Sequence, residues 1–491
     1  MRKERSVTFN FIMNFILTAS SFIFPFITFP YVSRILLPVG NGKIASATAV
    51  ITYFSMVSML GIPTYGIRAC AQVRDDKERL SRTVQEILII NGVMTIIVYI
   101  VFAISLQVVP KFAQDRALLL IMSTTIFLNV IGVSWLYAAL EEYAYITIIS
   151  LVFKLLGVIL MFLFVHDQQD YVIYGGITVI SNVGSYVFNF LRLGNYITLK
   201  PVGNYNVKRH WKPIVVFCAM TIATSIYTNL DTVMLNFISG DEQAGYYSAA
   251  VKVKTILTGL VTSLGAVLLP RLSYYIEKGM KEEFRRMASY ALCFVTMIAL
   301  PVTVYFMMFA GESVRLFSGV AYEPAIPSMC IIMPTVLFIG LSNILGMQIL
   351  IPTDGEKKVL ESVIIGGIVD LILNLLLIPR MGAAGAAIGT LAAEFVVVLV
   401  QAVVLRDFLK KIQKGFRIVP YILALLPAIA VAVILRMLVL QTAGNFLILA
   451  VTSVVFFGIY GGILLLFHEP ITMEFVLPYV QKMLIRRNQK Q

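Results

Sequence analysis

Fourteen continuous apolar stretches, each longer than 20 residues, constrain this 491-residue chain more than any other feature. They run over 9–37, 43–70, 83–107, 116–139, 144–165, 171–192, 213–238, 244–271, 287–310, 325–352, 359–379, 383–405, 418–438 and 444–467. A bilayer core offers no water to bond a stray amide, so a run of about 20 apolar residues reads as a membrane-crossing helix. The runs are unbroken rather than alternating, which excludes a membrane β-barrel. Composition agrees: 59% of residues are hydrophobic and 13% charged, against about 25% charged in soluble domains. Mean hydropathy is +0.88. A soluble enzyme, a disordered chain and a disulfide-stapled secreted domain are all excluded. The expected fold is all-α, a polytopic membrane protein of about 14 helices. Met1-Arg2-Lys3-Glu4-Arg5 opens like a signal peptide, but Phe9–Leu37 continues without a cleavage site and is expected as an uncleaved first helix.

Charge sets the expected orientation. With the N-terminus in the cytoplasm, cytoplasmic segments hold 29 of the 39 Lys and Arg residues, the outer side holds 7 and the spans hold 3. That is the positive-inside bias, and it places both termini on the cytoplasmic side. The net charge of +13 therefore faces anionic lipid rather than nucleic acid. No loop is large enough to fold alone, so any function sits within the helix bundle. The four cysteines and three histidines are scattered, without metal-ligand spacing, and no catalytic dyad, Walker motif or cofactor motif is present.

The chain repeats at an offset of 203. Gly42-Lys-Ile-Ala-Ser-Ala47 lies against Gly245-Tyr-Tyr-Ser-Ala-Ala250, Arg68 against Arg271, and Arg82 against Arg285. The expected organisation is two pseudo-symmetric six-helix lobes, 1–212 and 213–417, followed by two extra helices and a basic tail over 418–491. Parallel repeats of this kind place a substrate site between the lobes.

Ionisable groups at membrane depth cost about 2.5–3.5 kcal/mol or more unless paired or wetted. Arg34, Lys154, Asp231, Lys252, Lys254, Asp370 and Glu394 are the candidates. Asp231 and Lys252 share a depth on consecutive helices and are expected to form an ion pair, structural or functional. Lys252 and Lys254 point roughly 200° apart, so both cannot face one cavity; depth favours Lys252. Lys154 has no obvious partner in its own lobe and is expected to face a hydrated cavity. Glu394 is a coupling-ion site or a lysine partner, and Asp370 with Asn374 shares a helix face suited to interhelical hydrogen bonds. Pro25, Pro30, Pro63, Pro301, Pro327 and Pro334 fall inside the runs and are expected to bend them.

Several segments together resemble the Wzx-type bacterial polysaccharide flippases of the MOP superfamily. They are Pro30-Tyr-Val-Ser-Arg34-Ile-Leu with Pro38-Val-Gly-Asn-Gly42, Gly61-Ile-Pro-Thr-Tyr-Gly-Ile-Arg68, Trp135-Leu-Tyr-Ala-Ala-Leu-Glu141-Glu142-Tyr, Tyr227-Thr-Asn-Leu-Asp231, Gly245-Tyr-Tyr-Ser-Ala-Ala-Val-Lys252 and the stretch from Asn374 to Glu394. The resemblance covers about 5–410. It implies a protein without bond chemistry that moves an undecaprenyl-pyrophosphate-linked oligosaccharide from the inner to the outer leaflet of the cytoplasmic membrane. On this reading Arg34, Lys154, Lys252, Arg68 and Arg271 contact phosphate through charge-assisted hydrogen bonds, and for Arg68 and Arg271 positive-inside anchoring competes with that role. Asp231, Glu394 and Asp370 serve as ion pairs or coupling groups. No cofactor or metal is expected, H+ or Na+ coupling stays open, and the chain is expected to act as a monomer alongside a polymerase and glycosyltransferases.

Three rival functions remain, and one of them, a twelve-helix sugar porter, should carry a Gly-rich Asp-Arg loop pattern that Arg74-Asp-Asp-Lys-Glu-Arg-Leu-Ser-Arg82 lacks. An ion-coupled exporter of cationic or amphipathic compounds on a similar fold should carry a net acidic site, whereas the candidates here, counting Arg34 near the outer end of the first span, are four basic and three acidic groups. A membrane-embedded glycosyltransferase or polymerase should carry a substantial outer loop, and these outer loops are short.

Overall fold

The computed structural model describes residues 7–412, 418–439, 441–469 and 472–473. The basic start Met1–Arg5 and most of the basic tail beyond residue 473 lie outside these residues. Among the described residues the structure is helical throughout, with no strand. Eleven helices among the described residues are long and apolar enough to cross a membrane. The first of them, Ile12–Ala71, is a 60-residue run that contains two expected spans. Two further helices cover 208–239 and 241–277, and the helix count is roughly consistent with the expected fourteen spans.

The chain divides into two compact units, Met1–Ser248 and Ala249–Gln491. In the first unit α1 (Val7–Met59), α2 (Ile62–Ala71), α3 (Lys77–Val108), α4 (Pro110–Gln114), α5 (Arg116–Gly132), α6 (Ser134–Ala139), α7 (Tyr143–Phe164), α8 (Tyr171–Val183), α9 (Ser185–Arg192) and α10 (Lys208–Ser239) follow in order. The helix α11 (Asp241–Glu277) begins in the first unit and continues in the second. The second unit holds α12 (Lys281–Met308), α13 (Ala310–Phe317), α14 (Ile326–Ile332), α15 (Thr335–Ser342), α16 (Glu356–Met381), α17 (Ala383–Val404), α18 (Arg406–Ile412), α19 (Val419–Leu438) and α20 (Asn445–Leu466).

These helices invert the soluble pattern. On α3 the most exposed apolar side chains are Val93, Ile96, Ile100, Ile104 and Val108, a stripe at three- and four-residue spacing suited to face lipid. The opposite face buries Asn91 and Thr95 with Val98 and Phe102, and Thr95 hydrogen-bonds the Ser58 hydroxyl of α1 at 2.7 Å. Two apolar cores fill the first unit. One gathers Leu36, Phe102, Leu118, Met122, Ile126 and Met161, the other Ile62, Val84, Ile87, Trp135 and Tyr137. In the second unit α19 and α20 pack on α12 through Tyr305, Phe309, Tyr421, Phe456 and Tyr460. The Tyr460 hydroxyl donates to the Met297 carbonyl at 3.0 Å, and Arg436 of α19 pairs with buried Glu312 of α13.

The segment between α9 and α10 is fastened to α3. Gln85 donates to the carbonyls of Thr198 (2.7 Å) and Lys200 (2.9 Å) and accepts from the Tyr205 hydroxyl (2.7 Å). Fully buried Glu86 accepts from the Asn206 amide at 2.6 Å and from the Arg209 Nε at 2.9 Å, and sits 2.6 Å from the His210 Nε2.

The offset of 203 is written into the backbone. Leu37 breaks α1 with φ 57° and ψ −180°, and Gly240 separates α10 from α11 with φ 88° and ψ 178°. Two positions 203 residues apart thus adopt one unusual conformation, which glycine enters freely and leucine only under strain. The prolines divide. Pro25, Pro30 and Pro301 stand inside helices, but Pro63 and Pro327 sit in first turns and Pro334 precedes α15. A first turn needs no proline N–H, so these three start helices rather than bend them.

Candidate functional site

Lys154 draws its surroundings from distant sequence. It lies midway along α7 and is 7% exposed. Its ammonium donates to the Ser20 hydroxyl at 2.6 Å and the Ser21 hydroxyl at 3.0 Å, both on the first half of α1, with the Phe24 ring 6.0 Å away. Ser20 in turn donates to the Leu17 carbonyl at 2.6 Å, which orients its oxygen lone pairs to the lysine. Among the described residues no carboxylate pairs with Lys154. Hydroxyl dipoles offset part of the cost of a buried charge but leave its net +1 uncompensated. An ammonium has three donors; the serines use two, and one stays available to an anionic oxygen.

The other candidates distribute evenly. Arg34, Arg68 and Asp231 join Lys154 in the first unit; Lys252, Arg271, Asp370 and Glu394 belong to the second. Arg34 is exposed and its guanidinium bonds the Pro30 carbonyl one turn back. Arg68 is exposed in the last turn of α2. Asp231 is buried on α10 and accepts from the Tyr247 hydroxyl of α11. Lys252 is exposed while Lys254 is half-buried. Arg271 is exposed, donates to the Tyr275 hydroxyl at 2.9 Å and lies over that ring.

Asp370 and Asn374 share the buried face of α16, as their spacing predicts. They point at Gly389 of α17, where a Cβ would stand 2.5 Å from the Asn374 Oδ1 and 3.0 Å from the Asp370 Oδ1. Glu394 is buried further along α17, 6% exposed.

Four polar residues take their roles only from the fold. Ser20 and Ser21 are ordinary in a helix and gain meaning only opposite Lys154. Glu141 takes a left-handed backbone, φ 59°, pairs with Arg74 at 2.8 Å and accepts from Asn10 at 3.4 Å. Glu86 was assigned no role because its partners lie beyond residue 205.

Comparison with known proteins follows this geometry. Residues 7–276 match the model of a family described as polysaccharide biosynthesis protein. A protein of Escherichia coli (strain K12) named "Putative O-antigen transporter" is 24% identical over 395 residues, 80% of this chain and 95% of that protein. The fold is similar to that of the lipid II flippase MurJ in an inward closed conformation, with TM-score 0.72, 16% identity, and coverage of 94% of this chain and 99% of that one. An outward-facing multidrug resistance MATE family transporter of the MOP superfamily aligns less well, with TM-score 0.50, 14% identity, and coverage of 83% of this chain and 95% of that one.

Proposed function

The chain belongs to the polysaccharide biosynthesis protein family, and on that premise we propose that it is a flippase for an undecaprenyl-pyrophosphate-linked oligosaccharide. It carries that cargo from the inner to the outer leaflet of a bacterial cytoplasmic membrane for export of a surface polysaccharide. The single observation that supports an anionic cargo is the buried Lys154 ammonium, held by two hydroxyls and by no carboxylate among the described residues. A pyrophosphate oxygen can take the third N–H, or displace a serine, through a charge-assisted bond about twice as strong as a neutral one. Arg34, Lys252, Arg68 and Arg271 are the further phosphate contacts of this reading. Asp231, Asp370 and Glu394 are its ion-pairing or ion-coupling groups.

The cargo's sugars need water and its polyprenyl tail needs lipid, so the halves 1–212 and 213–417 alternate access around a wet path open sideways to the bilayer. Both termini lie in the cytoplasm, the working unit is a monomer, and polymerase and glycosyltransferases act before and after it. The chain breaks no bond and needs no cofactor. The name carried by the Escherichia coli relative supports a transport role, and the MurJ-like fold gives it a frame.

Deletion of the protein tests this reading. The lipid-linked unit should accumulate in the inner leaflet and surface polymer should fall. Normal polymer export in the deletion strain, accompanied by raised sensitivity to cationic drugs, would overturn it in favour of a small-molecule exporter.

A further inference from the structure

The segment fastened to α3 ends in a chain of three buried groups. The Tyr65 hydroxyl of α2 lies 2.6 Å from the His210 Nδ1, and the His210 Nε2 lies 2.6 Å from the Glu86 carboxylate. The three residues come from α2, α10 and α3, and all belong to the first unit. Nothing local to His210 marks it, because these partners stand 124 and 145 residues away.

Each donor in this chain has its acceptor. So short a contact between an imidazole nitrogen and a carboxylate needs a proton between them, which places the N–H on Nε2. Nδ1 is then an acceptor, the Tyr65 hydroxyl donates to it, and the ring is neutral. Charge is balanced beside it. The Arg209 Nη2 lies 2.6 Å and its Nε 2.9 Å from the Glu86 Oε2, and the same Nε stands 3.2 Å from the His210 Nε2. Arg68 and Cys70 of α2 are the further ionisable neighbours of Tyr65.

A second proton on the ring has no place in this arrangement. At Nδ1 it would face the Tyr65 O–H, donor against donor. Were the hydroxyl to turn and accept, its own proton would be stranded, since among the described residues His210 is its one hydrogen-bond partner. The imidazolium would also be a second cation beside Arg209, with a single carboxylate between them. His210 lies ahead of the span that begins at 213. Burial, with the Arg209 charge, holds its ring below the ordinary histidine range against the pull of Glu86.

We propose that His210 is a proton-binding site, and that a proton taken from water at Nδ1 releases the segment 198–210 from α3. The carboxylate that receives the His210 N–H also holds the Asn206 amide and Arg209. A ring that repels Arg209 and strands Tyr65 therefore loosens the whole clasp. His210 stands in the first turn of α10, so the site ties proton concentration to the freedom of the helix that opens the second repeat. With the clasp open the ring is in water and titrates near its free value, about pH 6.5; with it closed the ring titrates lower. The clasp is at full strength above about pH 6.5 and weakens as pH falls below it. At about pH 5.5, one unit under the free value, opening is favoured roughly tenfold more than at about pH 7.5.

The test is amide exchange of the full-length chain in detergent at these two pH values, each rate divided by its intrinsic rate at that pH. Protection over 198–206 should fall roughly tenfold at the lower pH, while α5, which carries none of these groups, keeps its protection. His210→Gln retains an amide for Glu86 but takes up no proton, so its protection should be equal at the two values. Equal protection in the parent, or an undiminished fall in His210→Gln, would overturn the site. A second measurement decides if His210→Gln does not fold. In a chain whose exposed His166 and His468 are replaced by glutamine, the ring nitrogen shifts of His210 should titrate below about pH 6.5, with the neutral proton on Nε2. Titration at or above that value, or a neutral proton on Nδ1, would also overturn it. Neither readout requires transport, so an error in the cargo would leave both standing and would show instead in the polymer-export assay.

Discussion

Replacing Lys154 with methionine separates a substrate-contacting charge from a structural one. Met keeps the length and most of the volume of the aliphatic stem, so no large cavity forms. The variant loses two hydrogen bonds from a charged donor, each contributing about 1.5–3 kcal/mol. It also removes a buried ammonium without a carboxylate partner, whose placement at depth costs about 2.5–3.5 kcal/mol. Ser20 is not stranded, because its hydroxyl still donates to the Leu17 carbonyl at 2.6 Å. The opposing contributions partly cancel. The expected destabilisation is therefore centred on about 1.5 kcal/mol, between about −0.5 and about 3.5 kcal/mol, and its centre lies below the roughly 3–5 kcal/mol that follows when one member of a buried ion pair is removed. Transport should be lost, because the positive charge is what the reading requires. Lys154→Arg, which keeps the charge, should retain part of it. The assay is flipping of a fluorescent lipid-linked oligosaccharide in proteoliposomes, alongside the apparent melting temperature in detergent. Wild-type flux in Lys154→Met would remove this lysine from the mechanism. Loss of the folded protein would refute the cancellation and make Lys154 a structural residue.

Other outcomes follow from single contacts. Gly240→Ala meets nothing within 4 Å, so its cost is backbone strain at φ 88° alone, about 1–3 kcal/mol, and thermal unfolding in detergent should show it; an unchanged melting point would refute the strain. Glu86→Gln should free the segment 198–206 by weakening its bonds to Asn206 and Arg209, about 1–3 kcal/mol. Faster amide exchange confined to that segment is the expected readout, and unchanged protection would count against the anchoring role. Gly389→Ala pushes a methyl to 2.5 Å from the Asn374 Oδ1 and should cost about 1–3 kcal/mol through overpacking of α16 on α17; a variant as stable as the parent would show that the two helices have room to part.

Hydropathy made the spans legible because lipid imposes one rule on every exposed helix face, and that rule needs no knowledge of partners. The all-helical structure and the long apolar helices follow the expected pattern. The Asp370–Asn374 face was readable because four-residue spacing is local. The sites of Pro63, Pro327 and Pro334 were not readable, since a proline starts a helix or bends one according to whether the preceding turn is helical. The strained turn at Leu37 was equally hidden: leucine carries no signal for a left-handed backbone.

By itself the sequence determined that the chain is a bundle of membrane helices, because apolar length is a local sum along the chain. Tertiary structure alone decided that Lys154 meets two serines more than 130 residues away and that Glu86 holds down a distant linker. Those are contacts between segments far apart in the chain. Their energy depends on the distance and direction between groups that only the packed helices fix.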